Sequence, residues 1–122
     1  DLLYRFDPVE PPLFAEDDDR KKTAALMVAV AWRESSFRMS AVGDHGRARC
    51  AFQLWSAPAE AVSDPHVCAS IALERLRASM AACGAANPLG VYASGSCATA
   101  HGVSRDRMHL ARRLSRTGET TQ

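Results

Sequence analysis

Apolar residues recur at helical intervals along most of the chain. Leu26, Val30 and Phe37 fall on one line, and Met27, Ala31 and Glu34 on another, which predicts a helix over about 18–37. The acids of "EDDDRKK" suit its N-terminus, where they complement the helix dipole. Cys68, Ala72, Leu76, Met80 and Cys83 mark one face of a second helix over 65–83, with Ser63 and Asp64 before it, Pro65 at its first position and Gly84 just past its end. Asn87, Pro88 and Gly95 cap, start and stop a shorter one. Val103, Arg107, Leu110 and Leu114 form a stripe on a last helix that begins near Ser104 and frays at Gly118. Between the first two helices, residues 41–49 carry Gly43 and Gly46 with little apolar content and read as a loop or short hairpin, while "CAFQL" reads as a short strand or a return into the core.

These elements predict a mainly α domain, α+β in detail, with a long buried central helix and at most a small β-hairpin. Pro8, Pro11 and Pro12 make residues 1–17 an extended arm, leaving 18–117 as the domain and 118–122 as a tail. A length of 122 residues fits one domain with a real core. Hydrophobic content of 47% and charged content of 24% fall in the globular range. The longest apolar run, 24–32, is half of what a membrane span needs.

Charge adds little. The net charge is +1, and the bases of 105–116 have no interleaved aromatics, so they read as a solvated helix face that includes His109, and no nucleic-acid partner is expected. Neither cofactor, metal nor oligomeric partner is implied, and the chain is expected to act as a monomer.

Cys50, Cys68, Cys83 and Cys97 form no CxxC pair and have no histidine at metal-ligand spacing, which favours two disulfides and an oxidising compartment, secreted or periplasmic. No leader is visible at Asp1, as expected of a mature or excised domain. Cys68 and Cys83, fifteen residues apart on one helix, are separated by about 22 Å. That is too far for a bridge. Two pairings remain, 50–68 with 83–97 or 50–83 with 68–97, and the first closes the shorter loops.

The chemistry gathers at Glu34. A carboxylate near a helix C-terminus faces the negative end of the dipole, and apolar neighbours raise its pKa further. An acid held protonated near neutral pH can protonate a glycosidic oxygen. The ordinary alternative is a surface pair with Arg38, one turn on.

The order of motifs resembles the lysozyme-like superfamily, in the branch of soluble lytic transglycosylases and goose-type lysozymes. Glu34, Ser35 and Phe37 match its Glu-Ser-aromatic helix end. Cys50, Ala51, Phe52, Gln53 and Leu54 match its Gly-Leu-Met-Gln motif loosely, with Cys50 where the family has glycine. Asp64 and Pro65 match the opening of a later helix. Tyr92 and Gly95 of "VYASG" match its Ala-Tyr-Asn-x-Gly motif, with Ala93 in place of the asparagine. The resemblance spans residues 25–95. It implies a lysozyme-like fold and cleavage of the β-1,4 bond between N-acetylmuramic acid and N-acetylglucosamine in peptidoglycan. Glu34 is then the general acid and base; Ser35 steadies substrate or Glu34, Gln53 faces the sugar cleft, and Tyr92 brings its hydroxyl near Glu34. Where chicken-type lysozymes carry a second acid, five residues before the glutamine, this chain has Ala48, which favours a transglycosylase. Asp44 is the one nearby acid able to serve as a second carboxylate. A non-catalytic glycan-binding or assembly module on the same fold is the alternative, and a disulfide-stabilised helical signalling or inhibitory protein a third. Among the other aromatics, Trp32, Phe37 and Phe52 are expected in the core and Trp55 on the cleft wall, with His45 exposed.

Overall fold

A computed structural model describes residues 19–120, with side chains described from 20 to 116. The proposed arm, 1–17, lies outside the described residues. The fold is mainly α with a small β part, as the hydrophobic pattern predicts. Helix α1 (Asp19–Ser35) leads into three two-residue strands, β1 (Val42–Gly43), β2 (Ala48–Arg49) and β3 (Leu54–Trp55). Helices α2 (Ala59–Ser63), α3 (Pro65–Cys83), α4 (Gly90–Ser94) and α5 (His101–Thr120) follow, with a 3-10 turn at Asp44–Gly46 and another at Gly84–Ala86.

Helix α1 is the core of the domain. Leu26, Met27, Ala29, Val30 and Ala31 are all buried, a belt too wide for a surface helix. It packs lengthwise against α5. It ends two residues earlier than the spacing of apolar residues suggests. Ser36 and Phe37 take left-handed backbone angles, φ 53° and 66°, which no helix continues. Phe37 therefore leaves the core, 43% exposed, and stacks obliquely on Trp32, itself 46% exposed, at 5.4 Å between ring centroids. Both were expected inside. Trp32 follows the end of the apolar belt on the side that faces water. Phe52, by contrast, is fully buried.

The strands make an antiparallel sheet of order β1-β2-β3, one strand more than a hairpin, pairing Val42 with Arg49, Gly43 with Ala48, Ala48 with Trp55 and Arg49 with Leu54. The sheet turns the chain back under the C-terminal end of α1. Helix α3 starts where its signals put it: the Asp64 carboxylate accepts from the His66 N–H at 2.9 Å, Pro65 sits at the first position, and Gly84, at φ 66°, ends it. The short α2 is not foreshadowed by any apolar period. Helix α5 begins at His101, a turn before Ser104, and runs past Gly118.

The disulfides join Cys50 to Cys68 and Cys83 to Cys97. The first ties the sheet to the start of α3, and the second ties the end of α3 to the loop before α5. Two closed bridges belong to an oxidising compartment. Asn87, read as a helix cap, is instead a buried hub, 1% exposed. Its amide nitrogen donates to the carbonyls of Cys97 (2.9 Å) and Thr99 (2.7 Å), and its oxygen accepts from the Ser104 hydroxyl. No helix among the described residues is long and apolar enough to cross a membrane.

Candidate functional site

The last turn of α1 opens on a groove between the sheet and α4. Glu34, the penultimate residue of that helix, is half-buried, with 26% of its side chain exposed. It lines a cavity of about 220 Å³ together with Asp44, Gln53, Trp55, Tyr92 and Arg107. A larger cavity of about 450 Å³ shares Asp44, Gln53, Trp55 and Tyr92 and continues towards Arg75 and Val91. Shared walls make the two one continuous groove. Three of the four residues expected to accompany Glu34 thus meet it here.

Burial pushes the Glu34 carboxyl above its ordinary range, the neighbouring Arg107 charge and hydrogen bond pull it back, and the Asp44 charge pushes it up again. Burial wins. A carboxyl in that position holds a proton at higher pH than a solvated one and can give it to a bound oxygen. Glu34 does not pair with Arg38, whose Nε donates to the Ser35 carbonyl at 3.0 Å. Its ion partner is Arg107 of α5, at 3.5 Å from Oε2.

Arg107 belongs to a chain of charges. Its other terminal nitrogen reaches Asp106 at 2.8 Å, and Asp106 takes the Nε of Arg33 at 3.0 Å. The basic run 105–116 is therefore not a wholly solvated face: Arg107 turns inward on the same stripe as Val103. A cation interrupting an apolar stripe was the visible signal.

Tyr92, on α4, donates its hydroxyl to the Phe52 carbonyl at 2.9 Å. Burial raises its phenol well above the ordinary value, the Glu34 charge adds to that, and the Arg75 and Arg107 charges oppose it. The phenol is thus a neutral donor that pins the 50–53 turn against α4. Ser79, fully buried on α3, fixes α4 in turn, donating to the Pro88 carbonyl at 2.9 Å and accepting from the Tyr92 N–H at 3.1 Å.

Gln53 sits on the groove wall with its amide nitrogen already occupied, donating to the carbonyls of Ala41 (3.0 Å) and Cys50 (2.9 Å). Its oxygen lies against Gly43, where a Cβ would come within 2.6 Å of it. A side chain at residue 43 would displace it. Gln53 and Cys50 both carry left-handed backbone angles, φ 51° and 61°. Cys50 thus holds a conformation that glycine adopts without penalty.

Ser35 lines neither cavity and touches no groove. It is 4% exposed, and its hydroxyl lies 2.7 Å from the Ala51 carbonyl while accepting from the Arg38 N–H at 3.1 Å. Of the two expected roles, steadying substrate or steadying Glu34, the contacts of Ser35 bear on the helix end: its hydroxyl braces the end of α1 against the 50–53 turn. Asp44 is exposed and accepts from the Trp55 indole N–H at 3.2 Å. Trp55, as expected, forms groove wall, with the Arg47 guanidinium 5.6 Å from its ring centroid. His45 is exposed. Among the described residues no group of three His, Cys, Asp or Glu side chains gathers as a metal site.

No family model, curated protein or solved structure matches this chain.

Proposed function

We propose that the chain is an exported peptidoglycan-cleaving enzyme, a lytic transglycosylase in preference to a hydrolytic lysozyme, acting as a monomer on the β-1,4 bond between N-acetylmuramic acid and N-acetylglucosamine. The observation that carries the proposal is the setting of Glu34: a half-buried carboxyl with a raised pKa, at a helix end that opens on a groove. The ordered motifs from Glu34 to Gly95 support the substrate class.

Glu34 protonates the glycosidic oxygen as the bond to the muramoyl C1 breaks, and the N-acetylglucosamine leaves with that proton. The resulting carboxylate faces the positive charge developing on the muramoyl ring. It then takes the proton of the muramoyl C6 hydroxyl, whose oxygen bonds to C1. The product is the 1,6-anhydro sugar, and Glu34 is protonated again. In a hydrolase, water supplies the oxygen instead. Tyr92 and Gln53 line the same cavity as Glu34, and Asp44 supports the positive charge on the ring.

Digestion of purified cell wall followed by mass spectrometry tests this. Anhydro-muramoyl ends are expected, and reducing ends heavier by one water would assign the hydrolase. Glu34→Gln is expected to lower the rate by roughly a hundredfold to ten-thousandfold, the usual worth of a positioned acid. Full activity in that variant overturns the mechanism.

A second reading, a glycan-binding module without catalysis, is favoured by the Arg107 ion pair, which stabilises the ionised form of Glu34, and by Ala93 in place of a sugar-contacting amide. Retention of glycan without bond cleavage would select it.

A further inference from the structure

The larger cavity does not include Glu34, and its charge is arranged differently from that of the smaller one. Its walls are mainly apolar, formed by Leu54, Trp55, Ala78 and Val91, and the two charged groups that line it are Asp44 and Arg75. Trp55 separates them. Its indole N–H donates to Asp44 at 3.2 Å, while its backbone carbonyl accepts from Arg75 Nη1 at 2.7 Å. The Glu34 end of the groove thus holds two acids, Glu34 and Asp44, with Arg107 paired to Glu34, whereas Arg75 is the cation of the other end.

Arg75 is half-buried on α3 and makes no ion pair among the described residues. A guanidinium has five N–H donors in a rigid fork, and one nitrogen here meets the Trp55 carbonyl. Arg75 lines a concave, apolar-walled space where an anion is held more strongly than in open water. A fork of parallel N–H groups matches a carboxylate.

Resting on the glycan reading given above, we infer that this cavity is a carboxylate pocket beside the cleavage site, with Arg75 as the group that binds the acidic substituent of the muramoyl unit. N-Acetylglucosamine carries no carboxylate. The muramoyl unit carries one on its lactyl arm, and where that arm bears a peptide the carboxylates are those of the peptide. Both sources present the same chemistry to Arg75. The pocket selects glycans with acidic substituents over neutral chitin oligomers of equal length.

The test uses full-length Glu34→Gln protein, so that the glycan stays intact, and tryptophan fluorescence or calorimetry as readout. The probes are chitin oligosaccharides, peptide-free muramoyl oligosaccharides and peptide-bearing ones. The expected result is about fivefold tighter binding of at least one muramoyl probe than of chitin, a preference weakened by salt. The probe that shows it tells the lactyl from the peptide carboxylate. Adding Arg75→Gln, which keeps a donor for the Trp55 carbonyl, is expected to bring the ratio near one. A structural defect would weaken all probes together and leave the ratio intact.

A preference that survives Arg75→Gln overturns the inference. So does equal binding of chitin and both muramoyl probes, and cleavage of cell wall by the unaltered protein would then leave the glycan reading standing. If no probe binds and the unaltered protein cuts no wall, both fall.

Discussion

Arg107 of α5 reaches across the α1–α5 seam to within 3.5 Å of Glu34, placing a cation beside the one half-buried acid of the groove. The guanidinium is itself held by Asp106, which Arg33 holds from the α1 side. Two opposite demands meet at Glu34. Burial favours the protonated form, and Arg107 favours the ionised form.

Removing Arg107 removes the influence that lowers the Glu34 pKa and leaves burial and the Asp44 charge, both of which raise it. A general acid is competent only while protonated, so the alkaline limb of kcat/KM against pH is expected to move to higher pH in Arg107→Gln. Arg107→Lys, which keeps the charge, is expected to move it less. Tyr92 stays neutral through this range, and burial and the Asp44 charge act on Glu34 in both proteins, so the difference between them reports Arg107. An unmoved limb would show that the ion pair does not govern the proton. The measurement is a pH–rate profile on soluble glycan.

Glu34 also leaves a mark on stability. Its folded pKa is raised, so between the ordinary carboxyl value and the raised one the folded state binds more protons than the unfolded state. Stability therefore falls as pH rises through that window, and above it the fold carries a partly buried charge. Glu34→Gln is expected to be more stable than the unaltered protein at neutral pH, with the difference shrinking as pH falls through that window and gone below the ordinary carboxyl value. Thermal unfolding at pH 7 and pH 3.5 reads this directly. A variant less stable at pH 7 than at pH 3.5, relative to the unaltered protein, would reverse the sign.

Parts of this arrangement were legible in the sequence because their causes are local. Helix α3 announces itself through Asp64, Pro65 and Gly84, three residues whose cap and turn chemistry needs no partner elsewhere. The rise of that same helix excluded a Cys68–Cys83 bridge, and of the two pairings left the one with the shorter loops is the one formed. Phe37 misled because spacing records only where an unbroken helix would put a side chain, and the chain turns left-handed one residue before it. Ser35 misled differently: its hydroxyl answers to Ala51, sixteen residues on, which no local pattern contains. Arg107 lies 73 residues from Glu34, so its role depends on the α1–α5 packing. The groove residues Gln53 and Tyr92 were found through the order of motifs and Asp44 as the nearest spare acid, none of them through any period in the chain.

Asn87 shows how far a residue can depart from its local reading. An asparagine before a proline suggests a cap, yet here it joins the loop at Cys97 and Thr99 to Ser104 of α5. Ser104 in turn accepts from the Leu89 N–H at 3.0 Å, so one amide organises both sides of α4. Asn87→Ala would remove the donor to the Cys97 and Thr99 carbonyls and leave the buried Ser104 hydroxyl without its acceptor. A loss of roughly 2–4 kcal/mol is expected, from the cost of unsatisfied buried polar groups. Urea unfolding would show it as a lower midpoint at unchanged slope. A change within about 0.5 kcal/mol, the range of ordinary surface substitutions, would mean that the hub is not a hub.

The two disulfides should be separable by what they do. Cys50–Cys68 and Cys83–Cys97 close loops of similar length, with sequence separations of 18 and 14, and each is expected to contribute about 3 kcal/mol by restricting the unfolded chain. Their positions differ. Cys50 is the left-handed residue whose carbonyl accepts from the Gln53 amide in the groove wall, whereas Cys83, the last residue of α3, and Cys97 line neither cavity. Double replacement of either pair by alanine is expected to lower stability by a similar amount. At a temperature where both variants remain folded, only loss of Cys50–Cys68 is expected to reduce glycan cleavage as well. Without the bridge, the penalty of the left-handed angle at residue 50 is relieved by rotation, and the turn that presents Gln53 and receives the Tyr92 hydroxyl moves with it. Placing glycine at position 50 of that variant, which adopts the angle freely, is expected to recover part of the activity without recovering the stability. Equal activity in the two bridge-less proteins would separate the groove from its disulfide.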